Sequence, residues 1–199
     1  MNPIKNKKNL EGTIEDIRNF AYAYLEKYSS SKQQLRTYLF KKMIKISQKI
    51  SSKKETFNLI DTVISSLEEQ KLLSDKYYSD AKSKAFFRRG YSLNKIRYNL
   101  IKKGINEKYI KNSILKIKED EADPDFFSAI KACKRRRIGP SREESNRPLF
   151  YKKDISILAR SGFSYDVSKK ILELSTFVVA EIFWVKNFSR PKYFFFPSP

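Results

Sequence analysis

Histidine is absent from this sequence of 199 residues, and cysteine occurs once. The first absence excludes catalysis by Ser-His-Asp or Cys-His groups and any metal site that needs imidazole ligands. A single cysteine excludes an intramolecular disulfide and a four-thiolate zinc site. Because such sparing use of cysteine suits a reducing compartment, we expect a cytoplasmic protein.

Glycine and proline are also scarce, with five and seven residues. Since these residues form most tight turns and helix ends, their scarcity predicts a mostly helical chain. A hydrophobic fraction of 40% is sufficient for a folded core, although 32% of the residues are charged. The most apolar stretch, 171–185, is interrupted by Glu173 and Glu181 and is too short to cross a bilayer. The first residues, 1–8, are polar and basic, so no targeting segment is expected.

Acidic residues are outnumbered by basic ones, 22 to 42, which gives a formal net charge of +20. Favourable interactions with helix C-termini, at ~0.3–1 kcal/mol each, account for some of the lysines and arginines. A solvated charged face also needs no partner. A net charge of this size nevertheless destabilises a compact chain through self-repulsion, so a polyanionic partner is the better explanation.

Helix starts and stops recur along the chain. Ser31 and Ser52 begin capping-box patterns, and Gly104 and Gly162 lie where a left-handed residue would end a helix. Further capping residues are expected at Thr13, Asp75, Ser92, Asn106, Asp123 and Ser164. Apolar residues between these marks recur every three or four positions, which predicts about nine helices.

The chain also aligns with itself. Segment 35–43 matches 96–104, and 154–162 is a weaker third copy, so the period is about 60 residues. Repeats of small helical units form extended bodies, and the predicted fold is all-α, an elongated tandem array of three three-helix repeats. The expected divisions are a flexible N-terminus at 1–12, repeats at 13–73, 74–120 and 121–175, a polar insertion at 141–148, and an aromatic C-terminal tail at 176–199.

Three motifs in the middle of the chain together resemble the RecX family. They are Leu-Ser-Asp-Lys-Tyr-Tyr at 73–78, Arg-Arg-Gly-Tyr-Ser at 88–92, and the segment 96–105, which ends in Lys-Lys-Gly-Ile. The flanking segments 21–43 and 135–164 are also similar to the family. The chain departs from the family pattern at Ser74, in place of an aspartate, at Ser79, in place of alanine, and at Met43, in place of glycine.

The resemblance implies a regulator of the RecA recombinase that acts by binding, with no active site and no cofactor. Such a protein would lie in the groove of the RecA–DNA filament. The expected effect is inhibition of ATPase, coprotease and strand-exchange activity in recombination and the SOS response, with stimulation as the alternative. The expected partners are the RecA filament and the phosphate backbone of single- or double-stranded DNA. We expect a monomer without a membrane partner.

Basic residues recur near equivalent helix ends in the three predicted repeats, and they form the candidate RecA- and DNA-binding strip. These are Arg36, Lys41, Lys42, Arg88, Arg89, Lys95, Arg97, Lys102, Lys103, Arg135, Arg136, Arg137 and Arg160. Phosphate contacts by such residues make binding strongly dependent on salt. The alternative function is a stand-alone basic helical protein that binds bare DNA or RNA tightly. An enzyme is not expected, because the sequence has no Gly-rich phosphate loop or spaced carboxylate motif.

Aromatic residues lie between the basic ones of the second repeat: Tyr77, Tyr78, Phe86, Phe87, Tyr91 and Tyr98. Such rings can stack on exposed bases, but we expect Tyr78, Phe86 and Phe87 to belong to the core, and Tyr91 is left open. Cys133 precedes the basic run 134–137, where positive charge would lower a thiol pKa. A packing role beside Ala129 and Ala132 is the favoured interpretation of this cysteine.

Three further segments lie outside the basic strip. The acidic cluster at 118–123 lacks the spaced ligands of a calcium loop, so we interpret it as a linker and helix cap. The polar insertion at 141–148 is expected to be a mobile surface loop. The end of the chain, 186–199, carries aromatic residues between prolines, which do not continue a helix.

Overall fold

The computed structural model describes residues 13–46 and 52–188. Within these residues the chain is helical, without strands, so the all-α prediction is confirmed. The helices are α1 (Ile14–Lys27), α2 (Lys32–Ile46), α3 (Lys53–Glu69), α4 (Asp75–Arg88), α5 (Leu93–Ile101), α6 (Glu107–Asp120), α7 (Pro124–Arg136), α8 (Arg147–Arg160), α9 (Tyr165–Leu172) and α10 (Thr176–Phe188). Two 3-10 helices, Gly139–Ser141 and Glu144–Asn146, separate α7 from α8.

Contacts divide the chain into two compact bodies. The N-terminal body contains the described residues up to Ser83 together with Tyr98–Ser113. The C-terminal body contains Lys84–Arg97 and the described residues from Ile114 onward. Helix order is compatible with three-helix repeats, while the elongated arrangement and the repeat boundaries stay predictions. The predicted flexible N-terminus, 1–12, lies outside the described residues.

The core of the N-terminal body is formed by one apolar face from each of α1, α2 and α3. Its buried residues are Ile17, Ala21, Leu35, Leu39, Met43, Ile60, Val63, Ile64, Leu67 and Leu73. Within the three helices their spacing of three or four places them on one side, and Leu73 follows α3. Thr13 caps α1 in a capping box with Asp16, as the sequence predicts.

The core of the C-terminal body joins α7, α8, α9 and α10. Its buried residues are Ala129, Ile130, Ala132, Cys133, Ile138, Leu158, Phe163, Ile171, Leu172 and Val179. Val179 belongs to α10, so the segment predicted as a tail from residue 176 instead begins with a helix that packs on this core. This helix extends to Phe188, past the start of the 186–199 segment that was expected to be non-helical. The remainder of that tail lies outside the described residues.

The N-terminus of α2 is bound by groups from later in the chain. Ser31 caps α2, because its Oγ accepts a hydrogen bond from the Gln34 backbone N–H at 3.2 Å. The same hydroxyl donates to the Lys103 carbonyl at 2.6 Å. The Asp75 carboxylate accepts from the Lys32 backbone N–H at 2.9 Å. Asp75 thus caps α2 and not its own helix, α4. In α4, Ser74 Oγ accepts a 3.4 Å hydrogen bond from the Tyr77 N–H.

The N-terminus of α5 has the same arrangement within the C-terminal body. Ser92 Oγ accepts from the Lys95 N–H at 3.1 Å and donates to the Ser161 carbonyl at 2.9 Å. The Asp125 carboxylate accepts from the Leu93 N–H at 2.8 Å. We call these two sets the serine–aspartate junctions: Ser31, Lys32, Asp75 and Lys103 form the first, and Ser92, Leu93, Asp125 and Ser161 form the second.

A glycine follows the accepting carbonyl in each junction. Gly104 and Gly162 have φ values of +73° and +86°, a left-handed conformation that side chains rarely adopt, as predicted for helix ends. A Cβ on Gly104 would lie 2.5 Å from the Gln33 Cβ, and one on Gly162 would lie 2.5 Å from the Ser92 Oγ. The close approach of the two helix ends therefore requires glycine at both positions.

The polar insertion at 141–148 is held by specific bonds, while its expected mobility stays a prediction. It includes the 3-10 helix Glu144–Asn146, and Arg147 already begins α8. Arg142 donates to the Asp154 carboxylate at 3.1 Å, and Asp154, which is 1% exposed, also accepts from the Gly139 N–H at 2.9 Å. The sequence does not reveal this pairing because Asp154 occupies a position where the matched segments carry Leu35 and Ile96.

Replacing Asp154 by alanine tests whether this ion pair orders the insertion. Asp154→Ala leaves the Arg142 guanidinium and the Gly139 N–H without their acceptor, so we expect unfolding free energy to fall by about 3 kcal/mol. Urea denaturation followed by circular dichroism measures the change. Asp154→Leu combined with Arg142→Met replaces the pair by apolar groups and should recover part of the loss. Wild-type stability of Asp154→Ala would show that the pair is dispensable.

Alanine substitutions at Asp75 and Asp125 test the two junctions. Each removes the acceptor for a helix-terminal N–H, and we expect each to lower the unfolding free energy by about 1 kcal/mol. The asparagine variants retain a side-chain acceptor and should lose less. Glu119→Ala, an exposed acid of α6, is the matched control and should unfold like the wild type. Alanine variants that unfold like this control would contradict a stabilising role for the junctions.

Candidate nucleic-acid and partner interface

The predicted basic residues of the N-terminal body include one that is already paired. Arg36 of α2 donates two hydrogen bonds to Asp61 of α3, at 2.7 Å from Nε and 2.6 Å from Nη2. Its guanidinium also lies 4.7 Å from the centre of the Phe57 ring. The ammonium group of Lys42, which is half-buried, lies 5.5 Å from the Phe20 ring. Arg36 therefore links α2 to α3, a structural role that the sequence strip did not distinguish.

Three other predicted residues of this body line a single cleft. Lys41 comes from α2, while Lys102 and Lys103 follow α5. The cleft has a volume of about 410 Å³, and its other lining residues are Tyr24, Gln33, Gln34, Thr37 and Tyr38. We call it the lysine–tyrosine cleft. The first serine–aspartate junction holds the Lys103 backbone against α2 and so forms one wall.

The three lysines of this cleft are not neutralised by acidic side chains of the described residues, although the Lys102 ammonium lies 4.6 Å from the centre of the Tyr98 ring. Within the described part of the chain, Lys41, Lys102 and Lys103 form no ion pair. The Tyr24 and Tyr38 rings stack on each other, with their centres 4.2 Å apart and an interplanar angle of 24°. Cations beside aromatic rings suit a ligand that has both negative charge and a flat apolar face.

In the C-terminal body, the ends of α4 and α7 bring five predicted arginines into one region. We call Arg88, Arg89, Arg135, Arg136 and Arg137 the arginine cluster. The Arg135 guanidinium donates to the Arg89 carbonyl. Gly90 allows the two helices to meet, because a Cβ there would lie 2.8 Å from the Lys131 Cβ and 3.0 Å from the Ser128 carbonyl oxygen.

All five side chains of the arginine cluster are exposed. None of them forms an ion pair with another residue that the structure describes. The negative ends of the α4 and α7 dipoles compensate part of their charge. Because like charges at this density repel each other, an anion bound here would relieve an unfavourable interaction.

The three remaining predicted residues lie elsewhere on the C-terminal body. Lys95 is half-buried in the first turn of α5, and Arg97 is exposed on the same helix. Both take part in interactions within the protein. Arg160 is the exposed last residue of α8, and among the described residues it has no ionic partner. These three residues therefore lie outside the arginine cluster.

The aromatic residues of the second predicted repeat divide between core and surface. Tyr78 is 4% exposed and donates from its hydroxyl to Gln34 Oε1 at 2.7 Å, which confirms its core assignment. Burial raises the pKa of Tyr78 to about 12. Tyr77 and Tyr98 are exposed. Burial therefore excludes Tyr78 from stacking on a base, and the stacking prediction is restricted to the exposed Tyr77 and Tyr98.

Phe86, Phe87 and Tyr91 have an intermediate position beside the arginine cluster. All three are half-buried, so the core assignment of Phe86 and Phe87 is only partly met. Phe86 packs edge-on against Tyr91, with ring centres 5.3 Å apart. The Arg135 guanidinium lies 5.7 Å from the Tyr91 ring, and the Lys131 ammonium lies 4.9 Å from the Phe87 ring. The Tyr91 ring therefore contacts Arg135 of the arginine cluster, and the Phe87 ring contacts the neighbouring Lys131.

Cys133 is completely buried in the core of the C-terminal body. Burial raises the pKa of its thiol to about 12, although basic residues follow it in sequence. The packing interpretation is therefore confirmed, and a reactive thiolate is not supported.

The acidic segment 118–123 ends one helix and begins the next. α6 ends at Asp120, and the Asp123 carboxylate caps α7 by accepting from the Phe126 N–H at 3.1 Å. The linker and cap interpretation is confirmed. Over the described ranges, no group of three or more acidic or cysteine residues is placed to hold a metal ion. None of the helices described is both long and apolar enough to cross a membrane.

Sequence comparison finds two curated relatives named Regulatory protein RecX. The protein from Myxococcus xanthus (strain DK1622) is 26% identical over 163 residues, which cover 79% of this chain and 84% of that protein. The protein from Clostridioides difficile (strain 630) is 28% identical over 133 residues, covering 64% of this chain and 58% of that protein. No protein-family profile matches the chain.

Structure comparison finds the same fold in two solved proteins. RecX from Lactobacillus salivarius superposes with a TM-score of 0.56 at 19% identity, covering 80% of this chain and 94% of that chain. A second crystal structure of regulatory protein RecX also gives 0.56, at 20% identity, covering 81% of this chain and 74% of that chain. At these identities the structural likeness shows the fold alone. The two curated relatives therefore support the resemblance to the RecX family, and the two solved structures support the fold.

The RecX resemblance predicted from the sequence is thereby confirmed. Several residues of the RecX-like motifs now have structural explanations: Asp75 and Ser92 belong to the junctions, Gly90 allows α4 to approach α7, and Gly104 ends the α5 segment. Both curated relatives are named regulatory proteins. A regulatory role is therefore supported for this chain.

Sequence reasoning missed several residues of the candidate interface. Tyr24, Tyr38 and Gln33 line the lysine–tyrosine cleft, and Lys131 lies beside the arginine cluster. Tyr38 lies in the segment 35–43, which was used only to identify the repeat. The only available signal was its position one turn before Lys41 and Lys42, and this signal becomes specific only when the end of α5 is seen beside α2.

Proposed function

We propose that this chain regulates the RecA recombinase by binding the RecA–DNA filament in its groove. The arginine cluster is the observation that carries this proposal, because it offers five exposed guanidinium groups without acidic partners among the described residues. Guanidinium groups bind phosphates and carboxylates through paired hydrogen bonds. Both kinds of anion would be present on a protein filament that surrounds DNA. The family relationship supplies the choice of RecA over other polyanions.

The proposed effect on RecA is inhibition. A chain that binds along the groove and bridges neighbouring protomers opposes the rearrangements that accompany ATP turnover and strand exchange. ATPase, coprotease and strand-exchange activities would then fall together, in recombination and in the SOS response. The chain acts by occupancy as a cytoplasmic monomer, and its own residues carry out no catalytic step and need no cofactor.

A stand-alone nucleic-acid binder is the second candidate function. The lysine–tyrosine cleft favours it, because lysines beside aromatic rings are typical of proteins that hold bare single strands. Under this alternative, affinity for bare DNA or RNA equals or exceeds affinity for the filament, and RecA activity is unchanged. The two candidates therefore differ in which partner is preferred.

The decisive experiment compares binding to preassembled RecA–ATP filaments on single-stranded DNA with binding to bare DNA at equal salt, while RecA ATPase is followed. We expect preferential filament binding and a reduced ATPase rate. The triple variant Arg88→Gln, Arg89→Gln, Arg136→Gln should bind the filament at least about tenfold more weakly, since three charge-assisted contacts are lost. Arg135 is left in place because it bonds to the Arg89 carbonyl.

The matched control removes the same charge from a different surface. Lys53→Gln, Lys54→Gln, Lys111→Gln alters three exposed lysines of the N-terminal body and should retain wild-type filament binding and inhibition. Equal loss in the arginine and control variants would mean that net charge, not the arginine cluster, determines binding. Tighter binding to bare DNA without any effect on the ATPase would refute the RecA proposal and favour the stand-alone binder.

A further inference from the structure

The lysine–tyrosine cleft is formed where the end of α5 packs against α2. No sequence motif predicts a binding site there. Gly104 lets the end of α5 approach α2, where a Cβ would lie 2.5 Å from the Gln33 Cβ. The 2.6 Å bond from Ser31 Oγ to the Lys103 carbonyl fixes this approach. As a result, two consecutive lysines from the end of α5 face Lys41 of α2 across one concave surface.

The two sides of this cleft differ in chemistry. Lys41, Lys102 and Lys103 supply positive charge, and within the described residues no carboxylate neutralises it. The rings of Tyr24 and Tyr38 stack on each other and pack against the N-terminal core, but both are only half-buried and present aromatic surface to the cleft. Their hydroxyls make no hydrogen bond to any residue that the structure describes. Gln33 is exposed at the rim and adds an amide that can donate and accept.

A nucleotide unit matches this combination of groups. Its phosphate would bind the lysines, its base would lie against the tyrosine rings, and an edge of the base would face the glutamine amide. A volume of about 410 Å³ is near the lower end of ligand pockets, which suits one or two nucleotides. Duplex DNA does not fit this chemistry, because its bases are paired and stacked inside the helix and present only edges to a protein. An acidic peptide would use the lysines but not the rings.

We propose that the lysine–tyrosine cleft binds an unpaired nucleotide of single-stranded nucleic acid, with phosphate on Lys41 and Lys103 and the base against Tyr38. This inference deepens the proposed function and rests on it for its biological setting, since a RecA filament contains such a strand. It assigns contact with the strand to the N-terminal body and separates that contact from the arginine cluster.

The test measures binding of the full-length protein to a fluorescein-labelled thymidine oligomer of about twelve nucleotides, by fluorescence anisotropy across a salt series. Lys41→Gln with Lys103→Gln should reduce the slope of log affinity against log salt by about 1.4, since each phosphate contact on a single strand adds ~0.7. Lys53→Gln with Lys54→Gln removes equal charge from α3 and should leave the slope unchanged.

Base stacking is tested separately with Tyr38 variants and an abasic oligomer of equal length. Tyr38→Leu should weaken binding of the thymidine oligomer by about fivefold or more and leave the abasic oligomer unaffected. Tyr38→Phe keeps the ring and should bind like the wild type, which separates loss of stacking from loss of folding. Thermal unfolding of each variant shows that the N-terminal body is intact.

Several results would overturn the cleft assignment. These are an unchanged salt slope in the double lysine variant and equal wild-type affinity for the abasic and thymidine oligomers. Free thymidine monophosphate bound as tightly as the oligomer would also overturn the single-strand assignment. RecA ATPase, measured with the same variants, distinguishes the two proposals. If the variants inhibit RecA like the wild type and bind the oligomers like the wild type, only the cleft proposal is refuted. If the variants lose oligomer binding as expected but neither they nor the wild type affects RecA, only the RecA proposal is refuted.

Discussion

The capping of α2 and α5 by residues distant in sequence is the constraint on which the rest of this structure depends. The first N–H groups of a helix have no partner within the helix and must find acceptors elsewhere. Asp75 and Asp125 provide those acceptors for Lys32 and Leu93. Burial raises the pKa of both carboxyl groups, and the bond from the backbone amide acts in the opposite direction. In each junction, burial of the carboxylate is unfavourable, and the hydrogen bond that it accepts from the helix-terminal N–H offsets this cost.

Both candidate binding surfaces are consequences of close helix contacts. In the N-terminal body, the Ser31 bond and Gly104 bring Lys103 to α2 and so create the lysine–tyrosine cleft. In the C-terminal body, Gly90 lets the end of α4 meet α7, which collects the arginine cluster. Small side chains and backbone acceptors therefore determine where the charges gather. A net charge of +20 attracts anions in general. The helix contacts determine at which positions on the surface the basic side chains can bind them.

Local sequence signals predicted much of the fold. Helical periodicity, the cap at Thr13 and the left-handed glycine at 162 depend on neighbouring residues and were predicted correctly. Features that depend on distant partners were not predictable in the same way. Asp75 appeared to be the cap of its own helix but serves α2, and Arg36 was placed in the binding strip but pairs with Asp61.

The candidate sites show the same division between local and distant information. The basic residues could be named from the sequence, whereas their grouping into a cleft and a cluster could not, because it depends on which helix ends meet. Helix α10 was interpreted as part of a tail because no repeat signal identifies its apolar residues, including Val179. Its N-cap was missed: Ser175 Oγ accepts a hydrogen bond from the Val178 N–H at 3.3 Å. Packing on the C-terminal core supplies the missing information.

Backbone hydrogen exchange at Lys32 and Leu93, followed by NMR, tests the junctions most directly. The account predicts that both amides are protected in the wild type, although the first amides of a helix usually exchange rapidly. Asp75→Ala should remove protection at Lys32 and leave Leu93 protected, and Asp125→Ala should do the reverse. Rapid exchange at both amides in the wild type, or protection that survives both substitutions, would contradict the account.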